Sequence, residues 1–135
     1  MLSQSSTISR LVVVRLKSGD DVLQAIRRAV KENDLTTGAI LCGVGSVSRY
    51  RVHVVETTNL PPGDVFFGDE GPYDILSVTG LVIDGRVHAH ITLSNTETAL
   101  GGHLEEGCQV LTFGVVMIAE MPDVSLTDWD RMWQL

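Results

Sequence analysis

Positive charge is scarce in this sequence. Lysine and arginine total 10 against 17 aspartates and glutamates, leaving a net charge of −7. A duplex-binding domain draws much of its affinity from neutralising phosphates, so a chain this acidic makes DNA an unexpected partner. Six of the basic residues, Arg10, Arg15 and Lys17 and then Arg27, Arg28 and Lys31, could form a small local patch. They are expected on the solvated faces of a strand and a helix. Charge of either sign is also sparse, at 20% of residues, while hydrophobic residues reach 44%. That is ample for a core, and the shortfall from the roughly 25% charge of ordinary soluble domains hints at surface covered by other subunits. Only two cysteines occur, Cys42 and Cys108, both in apolar segments. They are expected to be buried, reduced packing residues. There is no paired Cys-x-x-Cys, no Gly-x-Ser-x-Gly elbow, no phosphate loop and no Ser-His-Asp order, which removes the reactions those motifs support. No apolar run reaches the roughly 18 residues of a membrane span. The polar start lacks the pattern of a secretory signal, so a cytoplasmic location is expected.

The patterning that is present describes one domain. Residues 1–9 are rich in Ser, Thr and Gln and read as a flexible N-terminus ahead of a single domain over 10–135. Leu11 to Leu16 is a short β-branched strand. Ser18-Gly19-Asp20-Asp21 offers side-chain oxygens to start a helix, and Val22, Leu23, Ile26 and Val30 follow at helical spacing. Ala39 to Val47 reads as a buried strand. Its Gly43-Val44-Gly45 lacks the remainder of a nucleotide loop and fits close backbone approach better. Tyr50 to Val55 alternates as a further strand. Thr57 to Pro72 carries three of the four prolines and reads as one long loop. Asp84-Gly85 then predicts a two-residue hairpin pairing Ile83 with Arg86, Leu81 with His88 and Thr79 with His90. Thr96 to Gly107 reads as turn-rich, and Cys108 to Ala119 as a long apolar strand. In the acidic tail, Trp129 and Trp133 are spaced to share a helical face. The order of elements predicts an α+β fold, a largely antiparallel sheet or partial barrel with one principal amphipathic helix.

The chemistry-bearing feature is a set of histidines. In the predicted hairpin, Val87, Ala89, Ile91 and Leu93 make an apolar face, and His88, His90, Thr92 and Ser94 make the other. Two imidazoles two residues apart on a strand sit about 6 to 7 Å apart at the backbone and can converge on one ion. His103 follows a Gly-Gly pair, read as flexible backbone able to bring in a third ring. Three histidines are a common zinc set with a position left for water or a ligand. The same pair can equally be polar filling on an exposed strand face. His53 is farther off in sequence and is left out of the set. A metal-activated water would need a proton acceptor, and Glu105 and Glu106 are the nearby carboxylates. A solvated turn or a salt bridge is their plainer role.

Five blocks resemble one family. Gly19-Asp20-Asp21-Val22-Leu23 resembles the helix start of the plant and prokaryote conserved (PPC, DUF296) domain. Gly43-Val44-Gly45-Ser46-Val47-Ser48, Ile75-Leu76-Ser77-Val78-Thr79-Gly80 and Asp84-Gly85-Arg86-Val87-His88-Ala89-His90-Ile91-Thr92-Leu93-Ser94 are similar to successive strands of that family. Gly101-Gly102-His103-Leu104 with Gly107-Cys108-Gln109-Val110 resembles its last signature. Val87 stands where proline is common, Asp74 where glutamate is usual, and Gly114 where many members carry a glutamate. The resemblance implies a homotrimer with zinc ligands at His88, His90 and His103. It implies a metal- or small-ligand-binding module, with a zinc-dependent hydrolase or lyase and a DNA-binding protein as the alternatives. Plant members place an AT-hook before this domain, and this sequence contains no such hook.

Overall fold

The computed structural model describes residues 1–132. Its elements are β1 (Leu11–Lys17), α1 (Val22–Glu32), β2 (Thr37–Val55), β3 (Asp64–Ile83), β4 (Arg86–Ser94), β5 (Ala99–Leu104) and β6 (Gln109–Glu120). Asp21 caps α1 by accepting from Gln24 N–H at 3.0 Å, and its other oxygen accepts from Gly107 N–H at 2.7 Å. Val22, Leu23, Ile26, Ala29 and Val30 turn inward from the helix, and Arg28 pairs with Glu32 on its outer side. This is the expected amphipathic helix, laid against β1, β4 and β6.

All six strands form one antiparallel sheet in the order β1-β6-β2-β3-β4-β5, and β5 returns to pair with β2. The strands β2, β3, β4 and β5 therefore close a ring, while β6 and β1 extend it as an open sheet. This is the α+β partial barrel the sequence predicts. Length is what permits it. Strand β2 runs 19 residues; its first half pairs with β6, and its far end pairs with β5 through Val52↔Leu104 and His53↔His103. The ring interior is filled by Val47, Val52, Val78, Ala89, Ile91, Leu93 and Leu104.

Several expected boundaries are corrected. The strands expected over Ala39 to Val47 and Tyr50 to Val55 are one strand, bent by a register shift between Val47 and Arg49. Most of the long loop expected over Thr57 to Pro72 is strand, because Asp64 to Glu70 pairs along the far half of β2. Pro72 is absent from the ladder, which skips from Arg49↔Glu70 to Val47↔Tyr73. A residue without an N–H is tolerated there. Ala99–Leu104 is a strand too. A Cβ on Gly101 would lie 2.7 Å from the Ile91 carbonyl, and one on Gly102 would lie 2.8 Å from that of His53. These glycines admit two neighbouring strands rather than loosen the chain. Cys108 is buried as expected, but Cys42 is exposed. A register shift between Ile40 and Cys42 leaves Leu41 and Cys42 both exposed. The tail to residue 132 forms turns and no helix; Trp133 lies outside the described residues. Residues 1–9 are exposed and irregular, yet Thr7 N–H donates to Asp123 at 2.9 Å and Gln4 bonds Ser125.

Candidate metal centre

The hairpin turn fixes the first two histidines. Asp84 and Gly85 both take positive φ, +51° and +75°, as a tight two-residue turn requires. The register that follows is the expected one: Ile83↔Arg86, Leu81↔His88 and Thr79↔His90. Ala89, Ile91 and Leu93 point into the core, so His88 and His90 point away from it. Strand β5 then sets His103 directly opposite His90, and on its other edge directly opposite His53. Four imidazoles therefore share one sheet face.

Ring centroids are 4.7 Å apart for His88 and His103, 5.6 Å for His90 and His103, and 5.7 Å for His88 and His90. His53 stacks on His103 at 4.3 Å with 24° between the planes. The three expected residues are thus brought together, and His53, set aside on sequence distance, joins them. The only sequence signal for it was its place in an alternating strand. Its neighbour across the sheet depends on β2 reaching β5, which no local pattern encodes.

Each end of this row carries a carboxylate. His53 Nδ1 contacts Glu105 Oε1 at 2.5 Å, and His103 Nδ1 lies 3.5 Å from the same oxygen. A carboxylate oxygen only accepts, so the His53 nitrogen carries the proton there. His88 Nδ1 donates to Asp130 Oδ2 at 3.1 Å. That bond leaves His88 Nε2 as its lone-pair nitrogen. Burial pushes the Asp130 carboxyl up, but hydrogen bonds from His88 and Arg86 outweigh it and hold the group below its ordinary range. His90 and His103 are both held below the ordinary imidazole value, first by burial and then by neighbouring imidazoles. Neutral rings with free lone pairs are what a metal needs. His53, His103 and Glu105 also form a group whose ligand atoms lie within 4.8 Å of one another. Glu106 does not join; it pairs with Arg27 at 2.7 Å on the surface.

Beside His88 and His90 is a cavity of about 240 Å³, walled by Leu81, Trp129 and Asp130. Sequence reading gave Trp129 to a docking helix; a turn brings it to this site instead. A larger cleft of about 630 Å³ between α1 and the hairpin turn holds Arg27, Lys31 and Arg86 but no histidine.

A family model described as the Plants and Prokaryotes Conserved (PCC) domain matches residues 3–122. A metal-containing protein from Archaeoglobus fulgidus has a similar structure, with TM-score 0.81 and 21% identity over 93% of this chain and 89% of that one. So does a plant- and prokaryote-conserved (PPC) protein from Pyrococcus horikoshii, with TM-score 0.77 and 23% identity over 93% and 87% of the two chains. A Bacteroides thetaiotaomicron protein whose description proposes DNA binding matches with TM-score 0.72 and 18% identity, over 88% and 83%. Among curated sequences, the bifunctional protein GlmU of a Synechococcus strain is 28% identical over 115 residues, 84% of this chain. The chain spans 17% of the length of that relative.

Proposed function

The chain belongs to the Plants and Prokaryotes Conserved domain family, and from that premise we propose that it is a cytoplasmic, homotrimeric module that binds a metal ion or small ligand at His88, His90 and His103. The observation that carries this reading is the convergence of three rings, with centroids 4.7 to 5.7 Å apart, on one face outside the core. Zinc suits three imidazoles, and this set leaves a coordination position open. Such an ion would polarise a bound ligand or water; Asp130 would hold the His88 ring in place. The adjacent cavity gives a small molecule room beside the set. A similar protein described as metal-containing lends further support. Assembly is supported by a run of exposed apolar side chains, Leu11, Val13, Val44, Leu76, Leu111 and Phe113. Surface of that kind commonly meets another subunit. Among the described residues, no helix is long and apolar enough to cross a membrane.

The test is elemental analysis of gently purified protein beside His88→Ala and His103→Ala. About one zinc per subunit, lost in both variants, is the expected result. Wild-type protein that stays metal-free after zinc is added and the excess washed away sinks the metal reading. DNA binding is the second reading, favoured by the descriptions of similar proteins from Bacteroides thetaiotaomicron and Ralstonia eutropha. The −7 charge opposes it. Affinity for a DNA duplex that falls steeply with salt would revive it; no binding at low salt removes it.

A further inference from the structure

Four histidines are more than one three-histidine set uses, and the surplus ring brings its own carboxylate. His53 and Glu105 approach His103 from the side opposite His88 and His90 in the strand order, since β5 lies between β2 and β4. Four-coordinate zinc places its ligands about 3.3 Å apart, from bonds of about 2.0 to 2.2 Å. The 3.5 Å between His103 Nδ1 and Glu105 Oε1 is already near that spacing. The 2.5 Å contact from His53 Nδ1 to Glu105 Oε1 is a hydrogen bond donated by the imidazole. An ion displacing that proton would open it by under 1 Å, within reach of a side-chain rotation. The side chains of His53, His103 and Glu105 are 18%, 26% and 26% exposed, so the set is enclosed but reachable. Asp64 Oδ1 lies 3.6 Å from His53 Nε2, where a small shift would let it accept that nitrogen's proton.

We propose that His53, His103 and Glu105 form a second divalent-cation position, a two-histidine, one-carboxylate set that shares His103 with the three-histidine site. His103 serves one set at a time. With its Nδ1–H on the Leu104 carbonyl, 3.2 Å away, Nε2 is the lone-pair nitrogen for His88 and His90. With the proton on Nε2, Nδ1 faces Glu105 and His53. The choice of tautomer thus moves one ion between two positions a ring's width apart. A set of two histidines and one carboxylate is a recognised zinc arrangement with an open position. This inference rests on the proposed function only for the shared role of His103.

The experiment is cobalt(II) titration of the whole chain, read by visible absorption and by stoichiometry. The proteins are wild type, His88→Ala/His90→Ala, the same double variant with Glu105→Gln added, and the double variant with His53→Ala added. Circular dichroism melts check folding; the double variant changes only rings outside the core. Expected results are about one cobalt per subunit in wild type, about one in the double variant but bound at least tenfold more weakly, so that it washes out on purification as the zinc of His88→Ala does, and at least a further tenfold loss of affinity when Glu105→Gln or His53→Ala is added. A double variant that binds no cobalt while wild type binds one overturns the second position and leaves the three-histidine reading standing. A double variant that binds as tightly as wild type supports the second position and overturns the three-histidine reading. No binding by wild type overturns both.

Discussion

Gly102→Ala should destabilise this protein through one contact. The new Cβ would stand 2.8 Å from the His53 carbonyl oxygen, 3.1 Å from Val52 Cβ and 3.2 Å from Val52 Cγ2. The first partner is backbone and the other two belong to a fully buried valine, so none can rotate aside. Strand β5 must therefore move off β2 at the His53↔His103 pair. Overpacking of this kind costs about 1–3 kcal/mol. Replacing glycine by alanine returns about 0.4–1 kcal/mol by stiffening the unfolded chain. The net loss is about 1–2 kcal/mol. At about 2.1 cal/mol/K per residue, a chain of 135 residues unfolds with an entropy of about 0.28 kcal/mol/K, so Tm should fall by about 4–7 °C. Gly114→Ala is the control. It is the same chemical change in a strand, but its nearest atoms are those of Leu16 at 3.5 to 3.8 Å, ordinary contact distances. Its Tm should match or exceed wild type. Thermal melts by circular dichroism decide. If Gly102→Ala melts within 1 °C of wild type, the β2–β5 contact is slack and no longer accounts for the placement of His103.

Asp130→Asn should weaken metal binding at the three-histidine set by about 10–100-fold, the usual effect of removing a carboxylate behind a ligating histidine. Competition with a chelator measures it, and unchanged affinity would mean that His88 is not oriented by Asp130. Metal-free protein should lose stability as pH falls below about 6.5. His90 and His103 are depressed in the folded state, so the unfolded chain takes up their protons first and stability is complete only above the ordinary value. Urea midpoints at pH 7.5 and 5.5 test the sign, and a higher midpoint at the acidic pH contradicts it. Burial pushes the Cys108 thiol up to about 11. In a Cys42→Ser background, the native protein should therefore show no thiol reactive toward a disulfide reagent at pH 8, and one after guanidinium is added. A native-state reaction on a timescale of seconds would show that Cys108 is accessible.

Local chemistry was legible in the sequence, and long-range closure was not. The Asp84-Gly85 turn determines its hairpin register because two-residue turns admit few geometries, so the pairing of Thr79 with His90 followed directly. The helix was equally clear, since Asp21 and the spacing of Val22, Ile26 and Val30 act within a few turns. Glycine was the ambiguous sign. Gly101-Gly102 and the prolines near Pro72 suggest loop when read locally, yet β5 and the first half of β3 are strand because long β2 offers them a partner. The same cause hid His53. It is separated from His103 by the whole β3–β4 hairpin, and only ring closure makes them neighbours. Asp130 escaped because the turns that place it obey no helical period.

The pieces that sequence reading missed change the physics of the site. Four imidazoles whose nearest neighbours lie 4.3 to 5.6 Å away cannot all be protonated cheaply, because each charge repels the others. Burial acts in the same direction on His90 and His103. The carboxylates do the reverse. Glu105 and Asp130 sit at opposite ends of the row, each accepting a hydrogen bond from the Nδ1–H of its own histidine. That leaves His53 and His88 with fixed tautomers and the two central rings neutral. Negative charge thus flanks the row while its middle presents lone pairs. Protons can satisfy the ends but crowd one another at the centre, whereas one divalent ion can engage several lone pairs at once. The arrangement therefore favours a single cation over several protons near neutral pH. The advantage should shrink as acid protonates the central rings His90 and His103.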